Sequence, residues 1–475
     1  MKIMYVSSEV APFVKTGGLG DVAGSLPRAL AAKGHEVVVF CPLYSAIGAE
    51  WRAKMTFVKN AYVQLAWRNQ YCGVFEYRSD GVTYCFIDNE YYFSRTQIYG
   101  EYDDAERFAF YSKAVLEILP DLDFRPDIIH CNDWQTALVP VYYNLMFGAR
   151  PFYQGIKTVF TIHNIQYQGQ YGREILEYVL GIDDAYYRSG FMVQDGDVNL
   201  MKAAILASNA ITTVSPTYAE EIQTPYYGYR LDGILRENSW KLHGILNGID
   251  MDAFDPATDA KLTKNYSAKQ PKGKLENKRE LLKLCGLEGS DDTPVIGIVT
   301  RFVSQKGLDL IEAVLHDILE DDVRLIVLGK GDWRYEQMFL DAKRLYPSKI
   351  SVSIMFSGDL ANKIYAGSDM FLMPSKFEPC GLAQMIAMRY GTVPIVRETG
   401  GLKDTVQPFV DYLGTGNGFT FASYNAHDML HVIREACGVY HLNPKGWTHL
   451  MQLGMMSDFS WNASAQKYIE VYQSL

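Results

Sequence analysis

No two of the seven cysteines are spaced C-x-x-C. They are scattered at Cys41, Cys72, Cys85, Cys131, Cys285, Cys380 and Cys437, and their odd number argues against a disulfide framework. No apolar run approaches the roughly 20 residues that cross a bilayer. The apolar start is too short for a secretory leader and carries Glu9 and Lys15. A reduced, cytoplasmic protein with no membrane partner is expected. Positive charge is also scarce: 45 Lys and Arg face 55 Asp and Glu, a net charge of −10. That balance excludes a broad nucleic-acid footprint and leaves room for a local basic pocket around a phosphate. No repeat period or low-complexity tract stands out. The acidic DGD at Asp195 to Asp197 reads as an ordinary loop, since no strand ends there to organise a pair of metal ligands and no third ligand is evident.

What is present is a hydrophobic content of 48%, enough for a sizeable core, and 33 tyrosines, whose flat faces and polar edges suit sugar rings as well as a plain interior. KIMYVSSEV reads as a buried strand, the stretch from Asp21 to Gly34 as a helix closed by that glycine, and VVVF as a second strand. This β-loop-α-β grammar recurs at PDIIHCNDW, TVFTIHNI and NAITTVSP. Residues 51–100 alternate apolar and polar positions and read as antiparallel strands or loops added to the first domain. Residues 255–294 are rich in Lys, Asp, Pro and Gly, with one helical stretch, KRELLKLCGL, and read as a boundary. The strand grammar restarts at PVIGIVTR and continues through VRLIVLGKGD, VSIMFSG, DMFLMPS and TVPIVRE. The expected architecture is α/β, with two doubly wound domains: 1–245, then a crossing and linker at 246–290, then 291–455. The end, 456–475, reads as a helix that packs back on one of the domains, the first being the expectation adopted here.

Ligands of doubly wound sheets sit beyond the carboxyl ends of the strands, and the chemistry-bearing residues cluster at those ends. KTGGLGD, Lys15 to Asp21, follows the first strand. Its glycines admit close backbone approach, the next helix turns free N–H groups toward it, and Lys15 adds a charge. It matches neither the P-loop nor the dinucleotide fingerprint, so a structural turn and an anion-binding loop both remain open. Asp21 stands where a helix cap or early acidic residue is useful. Arg301 and Lys306 flank the loop after PVIGIVT, where a cation pair grips a diphosphate as its charge grows. Glu378 precedes Pro379, which stiffens its loop, and Thr399 to Gly401 give a second run of small residues. One acid beside phosphate-friendly turns suits a sugar nucleotide, the acid accepting hydrogen bonds from sugar hydroxyls; Glu378 alone is as well explained as a helix-capping acid. Asp133 and His163 lie just past consecutive strand ends. No H-x-x-x-H or thiolate set accompanies them, so no metal is assigned. Neither Cys131 nor Cys380 sits in a nucleophile signature with a histidine base, and both read as non-catalytic, Cys380 bordering the site.

The ordered set KTGGLGDV, HCNDWQT, TIHNIQYQG, TTVSPTYAEEI, GILNGID, RFVSQKG, SGDLANKIYAGSDMFLMPSKFEPCGL and YGTVPIVRETGGLKDTV resembles the bacterial glycogen synthase and plant starch synthase family across nearly the whole chain. The resemblance implies two Rossmann-like domains facing a deep cleft, the glycosyltransferase B architecture. It implies transfer of glucose from an ADP-glucose donor to the non-reducing end of an α-1,4-glucan (glycogen) acceptor, with retained configuration and no cofactor. It further implies that Lys15 and Gly18 approach the donor's phosphate and glucose, that Arg301 and Lys306 neutralise the diphosphate, and that Glu378 of the E-P-C-G run holds glucose hydroxyls, with Cys380 and Gly381 beside it. By the same resemblance His163 touches the transferred sugar, Asp133 lies on the acceptor side, Asn247 at the interdomain crossing, and Thr399, Gly400 and Gly401 form a second phosphate-contacting turn. Related retaining enzymes often carry a second glutamate eight positions after the first; here that position is Ile386.

A retaining glycosidase uses two carboxylates, and no convincing pair is present. The reading is therefore substrate-assisted transfer on one face of the sugar. Arg301 and Lys306 stabilise departing ADP, and a phosphate oxygen helps deprotonate the incoming 4-hydroxyl. UDP-glucose as donor, a sugar-nucleotide epimerase and a non-catalytic glucan-binding protein are the rivals. A glucan phosphorylase would need a lysine for pyridoxal phosphate, and no lysine context argues for one.

Overall fold

The structure is a computed structural model and describes residues 1–475, the side chain of Asp411 excepted. The chain divides into two compact units, Met1–Ile245 with Trp461–Leu475, and Leu246–Ser460.

The first unit is built on a sheet of nine strands. In chain order these are β1 (Lys2–Val6), β2 (Glu36–Pro42), β3 (Thr56–Leu65), β4 (Arg68–Ser79), β5 (Val82–Asp88), β6 (Ile128–Asn132) and β7 (Lys157–Ile162), then, after three short strands, β11 (Ala210–Thr213) and β12 (Leu242–Gly244). The three short ones, β8 (Gln170–Tyr171), β9 (Val193–Gln194) and β10 (Asp197–Asn199), make a separate small sheet in which Asp195 pairs with Arg230 at 2.8 Å. The large sheet runs β12-β11-β7-β6-β1-β2-β5-β4-β3. From β12 to β5 it is parallel, and β4 and β3 are added antiparallel, so the part of 51–100 between Thr56 and Asp88 extends the main sheet as three strands, while its two ends are short helix and loop. The difference is written in the burial. Ile3, Met4, Tyr5 and Val6 have no exposed surface, as befits a strand covered on both faces, whereas β3 alternates and leaves Tyr62 65% exposed. The helix Trp461–Gln473 belongs to this unit. Its Tyr472 hydroxyl lies 2.6 Å from Nδ1 of His130 on β6, and His130 Nε2 meets Thr161 Oγ1 at 2.6 Å.

The second unit carries β13 (Val295–Val299), β14 (Arg324–Gly329), β15 (Ile350–Ile354), β16 (Met370–Met373), β17 (Val393–Arg397) and β18 (Phe419–Phe421). All are parallel, in the order β15-β14-β13-β16-β17-β18. This is the doubly wound order, and its switch point lies between β13 and β16. Both sheet faces are covered: Ile296, Ile298, Leu325 and Val327 join a core with Ile311, Leu315 and Phe339, while Val295, Ile326 and Leu328 pack with Leu281 and Ile364.

The lysine-rich stretch before β13 is more integrated than its composition predicts. Its helix spans Gly273–Cys285, five residues longer at the start than the apolar pattern indicates. The buried Lys274 ammonium reaches the carbonyls of Ala366 and Tyr390 at 3.0 Å and Thr392 Oγ1 at 2.7 Å. Lys278 pairs with Asp369 at 2.8 Å. A lysine stem buries well when carbonyls and carboxylates meet its charge, so charge content alone does not show that the segment packs.

Candidate active site

In the first unit the switch point lies between β1 and β6, and the loops after β1, β6 and β7 carry the predicted residues. The helix after the glycine loop, α1 (Gly18–Ala32), begins three residues before the expected Asp21, so Gly18 and Gly20 lie in its first turn and Gly17 caps it in extended backbone. Asp21 is not the cap. Its carboxylate pairs with Lys15 Nζ at 2.6 Å, joining loop to helix, while its charge in the first turn also favours the helix dipole. A residue the motif reading missed holds the loop's other end. Glu9 is 3% exposed and accepts hydrogen bonds from the Thr16 backbone N–H and, at 3.1 Å, from Thr16 Oγ1; the Gly17 N–H donates to it as well. Burial raises its pKa above the ordinary carboxylate range, and these hydrogen bonds pull it back only in part. Two of the loop's backbone donors are thus already engaged by the chain's own acid. Beyond them, a Cβ built on Gly17 or Gly18 would meet nothing within 4 Å, and neither glycine has a positive φ. The chain itself supplies no reason for glycine there.

Asp133 ends β6 with φ +57°, a conformation few non-glycine residues adopt. Its Oδ1 accepts the backbone N–H of His163 at 2.7 Å, so the two residues picked from consecutive strand ends are brought together, through the histidine's main chain rather than its ring. Desolvation pushes the Asp133 carboxyl up to about 7, and it pushes the His163 imidazole down to about 3, leaving it neutral. The ring's Nε2 lies 2.9 Å from Asn132 Oδ1, whose amide is oriented by donating Nδ2 to the Val6 carbonyl at 3.0 Å. The Asn132 oxygen also accepts from Tyr5 Oη at 3.0 Å. The neutral tautomer therefore carries its proton on Nε2, and Nδ1 is an acceptor.

In the second unit Arg301 and Lys306 follow β13, and Glu378 follows β16, on either side of the switch point. Lys306 Nζ and Glu378 Oε2 form a 2.6 Å ion pair, and Ser375 Oγ donates to the same oxygen at 3.0 Å. Glu378 is 6% exposed, so it needs such a partner. The charge assigned to the diphosphate at Lys306 is thus engaged with the acid assigned to the sugar. Arg301 differs: it is exposed, and its guanidinium has no ion-pair partner among the described residues. Asn247 is buried, its N–H donates to the Cys380 sulfur, and its Oδ1 has no hydrogen-bond partner among the described residues. The Cys380 thiol, pushed up to about 12 by burial, is no nucleophile.

The turn at Thr399 to Gly401 answers to packing. Gly400 has φ +44°, and a Cβ there would stand 2.0 Å from the Glu378 carbonyl; one on Gly401 would stand 2.0 Å from that of Cys380. The Gly401 N–H, expected for a phosphate, donates to the carbonyls of Glu378 and Pro379 at 3.1 and 3.2 Å. These glycines let two loops touch. Besides Glu9, Asn132 and Ser375, the motif reading passed over Phe356. It follows β15 with 86% of its surface exposed, a flat apolar face on a loop at the ligand-binding end of the sheet. An aromatic just past a strand end was the signal that could have found it.

Comparison with known proteins adds the following. A family model described as the starch synthase catalytic domain matches residues 2–237, and one for glycosyl transferases group 1 matches residues 287–437. A glycogen synthase of Geobacillus thermodenitrificans is 52% identical over 475 residues, covering 100% of this chain and 98% of its own length. One from Desulforamulus reducens is 51% identical, covering 100% of this chain and 99% of its own. Among solved structures, the catalytic domain of starch synthase IV from Arabidopsis thaliana, bound to ADP and acarbose, superposes with a TM-score of 0.91 at 35% identity, covering 99% of this chain and 98% of that one. A sucrose-phosphate synthase from Thermosynechococcus elongatus, 17% identical with a TM-score of 0.62 and covering 100% and 98%, shares the fold.

Proposed function

Because the chain belongs to the glycogen synthase and starch synthase family of retaining glucosyltransferases, we propose that it transfers glucose from ADP-glucose to the non-reducing end of an α-1,4-glucan. The observation that carries the donor half is Arg301, an exposed cation with no ion-pair partner among the described residues, on the same switch-point loop as Lys306, whose ammonium pairs with Glu378. In this reading Arg301 and Lys306 meet the diphosphate, and Glu378, once Lys306 turns to phosphate, accepts from the glucose hydroxyls. Phe356 offers a stacking face to the nucleoside base. The open backbone at Gly17 and Gly18, with Lys15 beside it, admits the donor's phosphate and sugar, and neutral His163 and Asp133 line the sugar's surroundings. Asn247, Cys380, Gly381, Thr399, Gly400 and Gly401 frame Glu378.

The departing diphosphate gathers negative charge as the glycosidic bond loosens toward an oxocarbenium-like sugar. Fixed cations stabilise that state more than the ground state, which is what accelerates a step. No second carboxylate accompanies Glu378 at Ile386, which favours deprotonation of the acceptor 4-hydroxyl by a donor phosphate oxygen. Among the described residues no helix is long and apolar enough to cross a membrane, and the cytoplasm is the proposed compartment. An assay of purified protein with glycogen and either ADP-glucose or UDP-glucose, following nucleotide release and polymer growth together, tests the reading. ADP-glucose is expected to support both. Release without growth, or growth only from UDP-glucose, overturns it.

A further inference from the structure

Gln384 lies on the first turn of the helix Ala383–Arg389, with none of its surface exposed. Its side-chain amide faces backward. Nε2 donates toward the carbonyls of Cys380 at 3.1 Å and Gly381 at 2.9 Å, and it lies 3.1 Å from Thr405 Oγ1. Thr405 donates in turn to the Gly401 carbonyl at 2.6 Å, and the Gly401 N–H closes the circuit on the Glu378 carbonyl at 3.1 Å. Three acceptors around one nitrogen fix which end of the amide is NH2, since an oxygen there would face only other oxygens. The amide oxygen is buried with no partner among the described residues, so the group is held for its donors.

The consequence lies on the far side of the two peptide planes. Both bonds are trans, and a trans peptide points its N–H opposite to its C=O. With the Cys380 and Gly381 carbonyls turned inward to Gln384, the N–H groups of Gly381 and Leu382 turn outward together. Gly381 has φ +73° and Leu382 φ −109°, ψ −30°, the left-then-right pairing of a backbone nest for an electron-rich oxygen. Neither N–H donates to a group among the described residues. We infer that Gln384 is a positioning residue: it holds two consecutive carbonyls so that the Gly381 and Leu382 N–H groups stand as a preformed pair of donors, three and four residues past Glu378, for an oxygen of the donor's sugar or terminal phosphate.

The inference rests on the transferase reading above. Its test uses the full-length protein and separates the two, because a wild type that transfers from neither nucleotide sugar ends the reading, whereas the inference is judged only against an active wild type. Q384M keeps the volume and removes both donors. It is expected to lower kcat about tenfold while leaving affinity for the nucleoside monophosphate, which lacks sugar and terminal phosphate, within twofold. A kcat within threefold of wild type, or a monophosphate affinity that falls by the same factor as kcat, overturns it. Should Q384M not fold, T405V, which cuts the same circuit one bond further on, is judged by the same threshold. Q384E gives an independent readout. Its carboxylate would repel the two carbonyls, whereas the protonated acid restores one donor, so its activity relative to wild type is expected to rise as pH falls from 8 to 5.5. A flat ratio would mean that Gln384 only fills space.

Discussion

Two glycine runs of this chain look alike on paper and do opposite things. At Gly17 and Gly18 a side chain would meet nothing within 4 Å, and at Gly400 and Gly401 it would stand 2.0 Å from a carbonyl oxygen. The first run leaves space that the protein does not fill; the second removes space so that two loops touch. The acids beside them differ in the same way. Glu378 is matched by Lys306 at 2.6 Å. Asp133 has only backbone N–H partners and is pushed up to about 7. Glu378 in the second unit thus has its counter-charge inside the chain, whereas Asp133 in the first is met only by backbone N–H groups. A glycine motif therefore signals a ligand only when the protein's own packing has failed to explain it.

The largest expected effect breaks the frame. G400A meets both the Glu378 carbonyl and a left-handed φ, and nothing flexible lies in its way to yield. It is expected to lower stability by about 4 kcal/mol or to abolish folding, read by denaturant unfolding. A melt indistinguishable from wild type would show that the two loops do not need their contact.

A smaller effect tests the unmatched acid. The unfolded carboxyl titrates near 3.9 and the folded one at about 7. Between those values the folded state holds the extra proton. The stabilisation this brings is complete below the unfolded value and is lost as pH rises through the folded one. D133N keeps an oxygen for the His163 N–H and cannot ionise. Its stability relative to wild type is expected to climb from pH 4 to pH 7 by about 3 kcal/mol, then level off, and its transfer rate to fall. A difference that stays constant with pH would mean that Asp133 titrates normally.

Much of this was legible beforehand, for identifiable reasons. Strands buried on both faces, such as β1 and β13, read as unbroken apolar runs, and their order along the chain is that of two doubly wound sheets. Asp133, His163, Arg301, Lys306 and Glu378 stand out in the sequence because each lies in the loop after such a run. Pairings within the fold were not legible. That Lys15 would meet Asp21, that Lys306 would meet Glu378, and that Glu9 would take the Thr16 N–H are facts of side-chain reach that spacing does not encode. The burial of Lys274 was equally hidden, because composition counts a charge without the carbonyls that receive it.

The smallest change in stability is the sharpest test of the open run. Gly18 opens α1 with a φ that is not left-handed and with no neighbour to obstruct a methyl group. In a helix, alanine is favoured over glycine by up to about 1 kcal/mol because the unfolded chain loses less freedom. G18A is therefore expected to fold as well as wild type or slightly better, with a melting temperature equal or higher. Its transfer rate is expected to fall about tenfold, because the methyl would enter the one side of the loop that the protein leaves empty. G400A should lose the fold and G18A only the reaction. If G18A instead keeps full transfer activity, the vacancy at the first loop is not used by the donor, and Lys15 stands there for Asp21 alone.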